Sequence, residues 1–226
     1  MARPGTPHPV AVEDYVKAVY AHTEWQPTPI TSSALAARLG LAASSVTEMV
    51  KKLGAQGLVA HEPYGAITLT ADGTALALRM LRRHRLIETW LVREYGYSWD
   101  EVHDEAEVLE HALSERMLDA VDARLGHPLR DPHGDPIPAR DGSVERPDAV
   151  LLADVETGAR VRVARISDRD PALLRSLEAE GVGIDVALTV GSTHPFACTV
   201  DGGDAAIALE PKALASIWVS HGEHGA

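Results

Sequence analysis

Two stretches of the chain put imidazole and carboxylate groups where one ion could reach several of them. His84 and Glu88 lie four residues apart in RRHRLIETWL, and His103, Glu107, Glu110 and His111 recur at offsets of one, three and four in VHDEAEVLEH. On a helix, offsets of three and four fall on one face, so each stretch presents its donors together. A single His–Glu pair is ordinarily a surface ion pair. Two such clusters on consecutive helices, each mixing nitrogen and oxygen donors, point instead to a divalent cation. The zinc-protease pattern H-E-x-x-H is absent, and no serine or cysteine nucleophile signature accompanies these residues, so catalysis is not expected.

The elements that must hold these groups follow from periodicity. Residues 76 to 125 read as two helices, the first beginning near residue 75 after Asp72-Gly73 with Leu76, Met80, Leu86, Ile87, Trp90 and Leu91 apolar, the second from about Trp99. Upstream, residues 10 to 75 read as three helices and a hairpin. Val12, Tyr15, Val16, Val19 and Tyr20 mark the first, ended by Pro27 and Pro29. Thr31 caps the second and Gly40 stops it. The third starts near Ala42, buries Val46, Met49, Val50 and Leu53, and ends by Gly57. Leu58 to Glu62 and Ala66 to Thr70 flank Pro63-Tyr64-Gly65 as strand, turn and strand. Two short helices with an attached wing form a winged helix-turn-helix, whose third helix offers Ser44, Ser45, Thr47 and Glu48 near its start and Lys51 and Lys52 later for DNA. Ser44 is alternatively no more than the helix N-cap.

Composition bounds the rest. The 226 residues carry a formal net charge of −12, opposite to that of a protein that coats DNA. Asp and Glu crowd 100 to 122, where a bound cation would offset them, whereas Lys51, Lys52, Arg79, Arg82, Arg83 and Arg85 lie earlier. One cysteine, Cys198, excludes an intrachain disulfide and a thiolate zinc cluster, and is expected to pack as a small hydrophobe. No apolar run is long enough for a membrane span and the start has no signal-peptide core, so a cytoplasmic protein is expected. Residues 126 to 147, rich in Pro and Gly, read as a linker or extended connection. Beyond it, Val161 to Ile166, Val186 to Val190, Cys198 to Val200 and Ala206 to Leu209 are candidate strands around a helix at Pro171 to Glu180, a pattern that fits a small barrel.

RRHRLIETWL, VHDEAEVLEH, DPHGDPIP and the helix-turn-helix run SSALAARLGLAASSVTEMVKKL together resemble the diphtheria-toxin-repressor-like family of metal-dependent regulators, and within it the actinobacterial manganese transport regulators. The resemblance spans the whole chain. It implies a mainly α protein with small β elements: a winged helix-turn-helix over 1–75, a helical metal-binding and dimerisation domain over 76–145 and an SH3-like, FeoA-type domain over 146–226. It also implies a primary metal site of Asp14, Glu107, Glu110 and His111. Iron-responsive members resemble this pattern with Met in place of Asp14 and Cys in place of Glu107, so the harder set here favours Mn(II), with Fe(II), Co(II) or Zn(II) as substitutes. Shorter manganese regulators have a further Glu where Lys17 stands, which argues against their two-ion cluster at this position. An ancillary site maps to His84, Glu88 and His103, completed by Asp168 or Asp170 of ISDRDPALL, with Asp170 slightly favoured and His133 a further donor or else an exposed loop histidine. The implied protein binds two Mn(II) per subunit and, as a metal-activated homodimer, palindromic double-stranded operator DNA, repressing transcription; an iron-dependent regulator and a winged-helix module without metal dependence are the alternatives.

Overall fold

A computed structural model describes residues 8–61, 65–193, 196–202 and 206–221. Contacts divide the chain into two compact units, Met1–His84 with Pro138–Ser143, and Arg85–Ile137 with Val144–Ala226.

The first unit begins with α1 (Val10–Thr23), α2 (Ser32–Leu39) and α3 (Ala43–Ala55), followed by the hairpin β1 (Val59–His61) and β2 (Ile67–Leu69). Val12, Val16, Leu35, Val46, Leu53 and Ile67 fill its core. Local chemistry sets the boundaries of the helices. The Thr31 hydroxyl accepts the Ala34 N–H at 3.2 Å, and Gly40 ends α2 at φ 65°, a conformation that costs a glycine nothing. The N-cap of α3 is Ala42, not Ser44, so the serines are released from capping. The hairpin pairs Val59 with Leu69 in antiparallel register, and the Ile67 N–H donates to the Ile30 carbonyl. Glu62, Pro63 and Tyr64 of the expected wing turn lie outside the described residues.

α4 (Ala71–Tyr95) starts two residues before Gly73 instead of after it. In the second unit, where two helices were expected up to residue 125, three stand: the later turns of α4, then α5 (Val102–Leu109) and α6 (Glu115–Leu125). The break falls where Glu110 closes α5 and the Ser114 hydroxyl accepts the Met117 N–H to open α6. Leu86, Ile87, Leu91, Val102, Ala106 and Leu118 pack together there.

The remaining strands are β3 (Val150–Leu151), β4 (Arg160–Ile166), β5 (Ala187–Thr193), β6 (Phe196–Val200), β7 (Ala206–Ala208) and β8 (Ile217–His221), with α7 (Pro171–Ala179) and α8 (Pro211–Leu214) between them. They form one antiparallel sheet in the order β3-β8-β4-β5-β6-β7. β3, α8 and β8 have no counterpart in the sequence expectation. Leu152, Val163, Ile166, Leu188, Cys198 and Ile217 lie in this core, which places Cys198 as the small hydrophobe expected.

Within the stretch read as a linker or extended connection, one part is tightly packed. Asp131 to Pro138 is almost wholly buried, folded around a carboxylate: Asp131 Oδ1 accepts the N–H groups of His133 and Asp135, each at 2.9 Å. Such an Asx-turn satisfies the backbone without helix or strand periodicity, which is why composition alone read the stretch as open.

Candidate metal centre

Within the second unit the strongest constellation gathers on α4, α5, the 131–138 connection and the segment after β4. Glu88, one helical turn beyond the buried His84, is 1% exposed. His103 Nδ1 stands 3.4 Å from Glu88 Oε1 and 3.4 Å from Asp168 Oδ2. His133 Nδ1 approaches Glu88 Oε2 at 4.0 Å. Cis donors about 2.2 Å from a common centre are separated by roughly 3 Å and trans donors by more, and Glu88, Asp131 and His133 each offer a ligand atom within 4.8 Å of the others, close enough for one divalent ion.

Asp170, slightly favoured from the sequence, is engaged elsewhere. It caps α7 by accepting the Ala172 and Leu173 N–H groups and pairs with Lys212. Asp168, the other candidate, stands against His103. Both aspartates flank the same turn, and only the tertiary fold separates the N-cap, Asp170, from the residue that faces His103.

Electrostatics agree with a cation centre. Burial opposes the His103 imidazolium, but hydrogen bonds to Asp168 and Glu88 outweigh it and push its pKa up to about 11. Burial likewise opposes protonated His133, and the charges of Glu88, Asp131 and Asp168 raise it nonetheless. Burial would raise Asp168, yet the bond to His103 holds it well below the usual carboxylate range. Protons on these imidazoles therefore stand where a cation's charge would act.

The donor chemistry fits a hard or borderline divalent metal. His133, 1% exposed, is the clearest sign. Its Nε2 hydrogen-bonds the Trp99 carbonyl at 2.6 Å, which makes Nε2 the protonated nitrogen in the neutral ring and leaves a lone pair on Nδ1. That Nδ1 is buried and finds no hydrogen-bond partner among the described residues. A buried Nδ1 that faces the Glu88 carboxylate without a hydrogen bond suits a ligand once a cation displaces its proton.

The donors of the other expected set divide between the units. Glu107 and Glu110 sit at the end of α5 with His111 just past it; Glu110 is fully buried, and His111 Nε2 is 3.3 Å from its Oε1. His103 Nε2 stands 3.7 Å from Glu107 Oε1. Asp14 lies part-buried on α1, in the first unit.

Ser44, Ser45, Thr47, Glu48, Lys51 and Lys52 are all exposed on α3. The Thr47 hydroxyl donates to the Ala43 carbonyl. A cleft of about 990 Å³ that includes Thr47 and Lys51 is lined also by Thr31, Ser32, Ser33, Val50, Val59 and His61, a mixed surface of hydroxyls, one lysine and apolar side chains. Asp131, Asp135 and Arg85 lie in the metal region but were assigned no part in it from the sequence. The signal was present in DPHGDP, where two aspartates flank a histidine and a turn glycine.

Comparison with known proteins supplies an independent reading. Residues 10–67 match the model of the iron dependent repressor N-terminal DNA binding domain, 70–139 that of the iron dependent repressor metal binding and dimerisation domain, and 150–221 the FeoA domain. The iron-dependent repressor IdeR of Mycobacterium tuberculosis is 30% identical over 200 residues, covering 83% of this chain and 86% of that protein. A solved manganese-dependent transcriptional repressor in complex with manganese shares 46% identity at a TM-score of 0.89, over 93% of this chain and 99% of its own. The apo form of the manganese-activated repressor ScaR gives 31% and 0.78, over 92% and 99%.

Proposed function

Because the chain belongs to the diphtheria-toxin-repressor-like family of metal-dependent transcriptional repressors, with its DNA-binding, metal-binding and dimerisation, and FeoA domains, we propose that it is a manganese-responsive member acting in the cytoplasm as a homodimer on palindromic operator DNA. The observation that carries this reading is the donor set. Every candidate ligand is a carboxylate or an imidazole, and the single thiol, Cys198, is buried in the core of the β-sheet. Sulfur-free sites suit Mn(II) better than softer ions, although Fe(II), Co(II) and Zn(II) accept the same groups. The repressor at 46% identity is itself named manganese-dependent. The relative named iron-dependent, at 30%, sustains the competing assignment.

In this reading Asp14 with Glu107, Glu110 and His111 forms the primary site, and His84, Glu88, His103, His133 and Asp168 the ancillary one, for two ions per subunit. When bound, the cation supplies charge that offsets the clustered carboxylates and favours one arrangement of the domains. Asp14 belongs to the proposed reading-head domain, 1–75, whereas Glu107, Glu110 and His111 belong to the proposed dimerisation domain, 76–145, ahead of the FeoA-type domain, 146–226. Common ligation by the two would fix the spacing of paired α3 helices, near one DNA turn of ~34 Å. Turning such a switch from mostly off to mostly on requires roughly 5.5 kcal/mol of differential metal affinity. Ser44, Ser45, Thr47, Glu48, Lys51 and Lys52 would meet the DNA. Leu109, Leu113 and the exposed Met117 would meet the second subunit.

A gel shift on the DNA upstream of the protein's own gene, run anaerobically with Mn(II), Fe(II) and chelator, tests this. Mn(II) should drive a shift that chelator abolishes. A shift with Fe(II) alone would assign the iron reading, and a shift unchanged in chelator would remove metal dependence.

A further inference from the structure

We propose that Glu48 sets the operator specificity of this chain by reading a cytosine, the base whose exocyclic amine offers a carboxylate the hydrogen-bond donor it needs in the major groove. The proposal rests on the reading of α3 as the DNA-recognition helix. Val46, Val50 and Leu53 are the buried residues of α3. At about 3.6 residues per turn, Ser44, Glu48, Lys51 and Ala55 fall on the opposite side, and all four are exposed. Glu48 is the sixth residue of α3 and stands in the middle of that face. It lies within the first two turns, the part of a recognition helix that reaches base edges when the helix enters the groove.

The neighbours of Glu48 leave base reading to it. Ser44 is short and Ala55 ends in a methyl group. Lys51 lines the cleft with Thr47, Ser33 and His61, and the Thr47 hydroxyl donates its proton within the helix, to the Ala43 carbonyl at 2.9 Å. α3 contains no Arg, Asn or Gln, the side chains that read guanine and adenine through paired hydrogen bonds. Glu48 therefore carries the one planar polar head on the helix. Lys51 and Lys52 follow it at three and four residues, the spacing at which opposite charges pair along a helix. Among the described residues, however, the Glu48 carboxylate forms no hydrogen bond or ion pair.

A carboxylate accepts hydrogen bonds and donates none. In the major groove guanine presents two acceptors, thymine an acceptor and a methyl group, adenine an acceptor beside its amine, and cytosine an amine alone. Cytosine thus gives Glu48 a donor without a lone pair beside it on the same base, while guanine, thymine and the phosphates repel the charge. That repulsion also lowers affinity for arbitrary DNA, in keeping with a net charge of −12, so specificity is gained by exclusion as well as by attraction.

Selection of bound duplexes from a randomised pool by the full-length protein with Mn(II), repeated with Glu48→Gln and Glu48→Ala, tests this. Both substitutions leave the buried face of α3 intact. The wild type should enrich a palindrome with a cytosine in each half-site that the variants treat differently. Glu48→Gln should exchange it for adenine, whose N6 and N7 match an amide, and Glu48→Ala should accept any base there. Replacing that C·G pair by G·C in one half-site should weaken wild-type binding by roughly 5- to 150-fold, the cost of one mismatched pair, whereas Glu48→Ala should bind the two duplexes alike. Base preferences identical to wild type in both variants would overturn the proposal. A change in affinity that is uniform across sequences, the mark of a phosphate contact, would overturn it as well. A wild type that enriches no palindrome with Mn(II) would instead refute the underlying reading of the chain as an operator-binding regulator, and the proposal with it.

Discussion

At the scale of the residue, His103 is the most informative group in the centre. With Glu88 and Asp168 each 3.4 Å from Nδ1, the ring keeps its proton up to about pH 11 when no cation is present. A folded-state pKa above the unfolded value of about 6.5 stabilises the fold fully below that value, and the contribution is lost as pH rises through the folded pKa. The raised His133 and Asp131 act in the same direction. Metal-free protein in chelator should therefore lose stability between about pH 6.5 and 10, seen as a falling urea midpoint, and His103→Gln should flatten the slope. A midpoint that rose with pH would contradict the assigned ion pairs. His103 and Glu88 were readable in advance because helical spacing exposes them. Asp168 was readable only as one of two alternatives and Asp131 was given no role of its own, since a residue on an irregular segment has no period and its role depends on which strand the fold brings beside it.

At the scale of the element, Gly73 shows how a local rule is overruled by packing. Glycine inside a helix costs about 0.5–1 kcal/mol against alanine, so the sequence reading began the helix after it. The structure runs α4 through it because a Cβ there would overlap the Leu58 carbonyl oxygen, beside the hairpin that forms the wing. Gly73→Ala should accordingly destabilise the first unit by roughly 1–3 kcal/mol, the cost of overpacking a close contact, measured as a lower unfolding midpoint by circular dichroism. A stabilised variant would mean the contact is loose. The helix-turn-helix was legible since Thr31 and Gly40 each act through neighbours a few residues away. The division at Glu110 to Ser114 was not, because apolar spacing continues through Leu109, Leu113 and Met117 while the backbone turns.

At the scale of the whole molecule, the architecture was largely open to the sequence: helical reading head, helical metal-binding segment and β-rich FeoA-type end each carry their own periodicity. What stayed hidden was the tight fold of 131–138, where buried Asp131, His133 and Asp135 replace an expected linker or extended connection. Its stability comes from paired charges and an Asx-turn, which leave no apolar pattern. Among the described residues no helix is long and apolar enough to cross a membrane. In the proposed function, common ligation by Asp14 and by Glu110 and His111 makes DNA binding metal-dependent. Fluorescence anisotropy of labelled operator DNA, with and without Mn(II), on the wild-type chain and Asp14→Ala tests this, with sedimentation velocity run on both. Asp14→Ala should remain a folded dimer whose operator affinity no longer responds to Mn(II). Manganese-stimulated binding equal to wild type would contradict it.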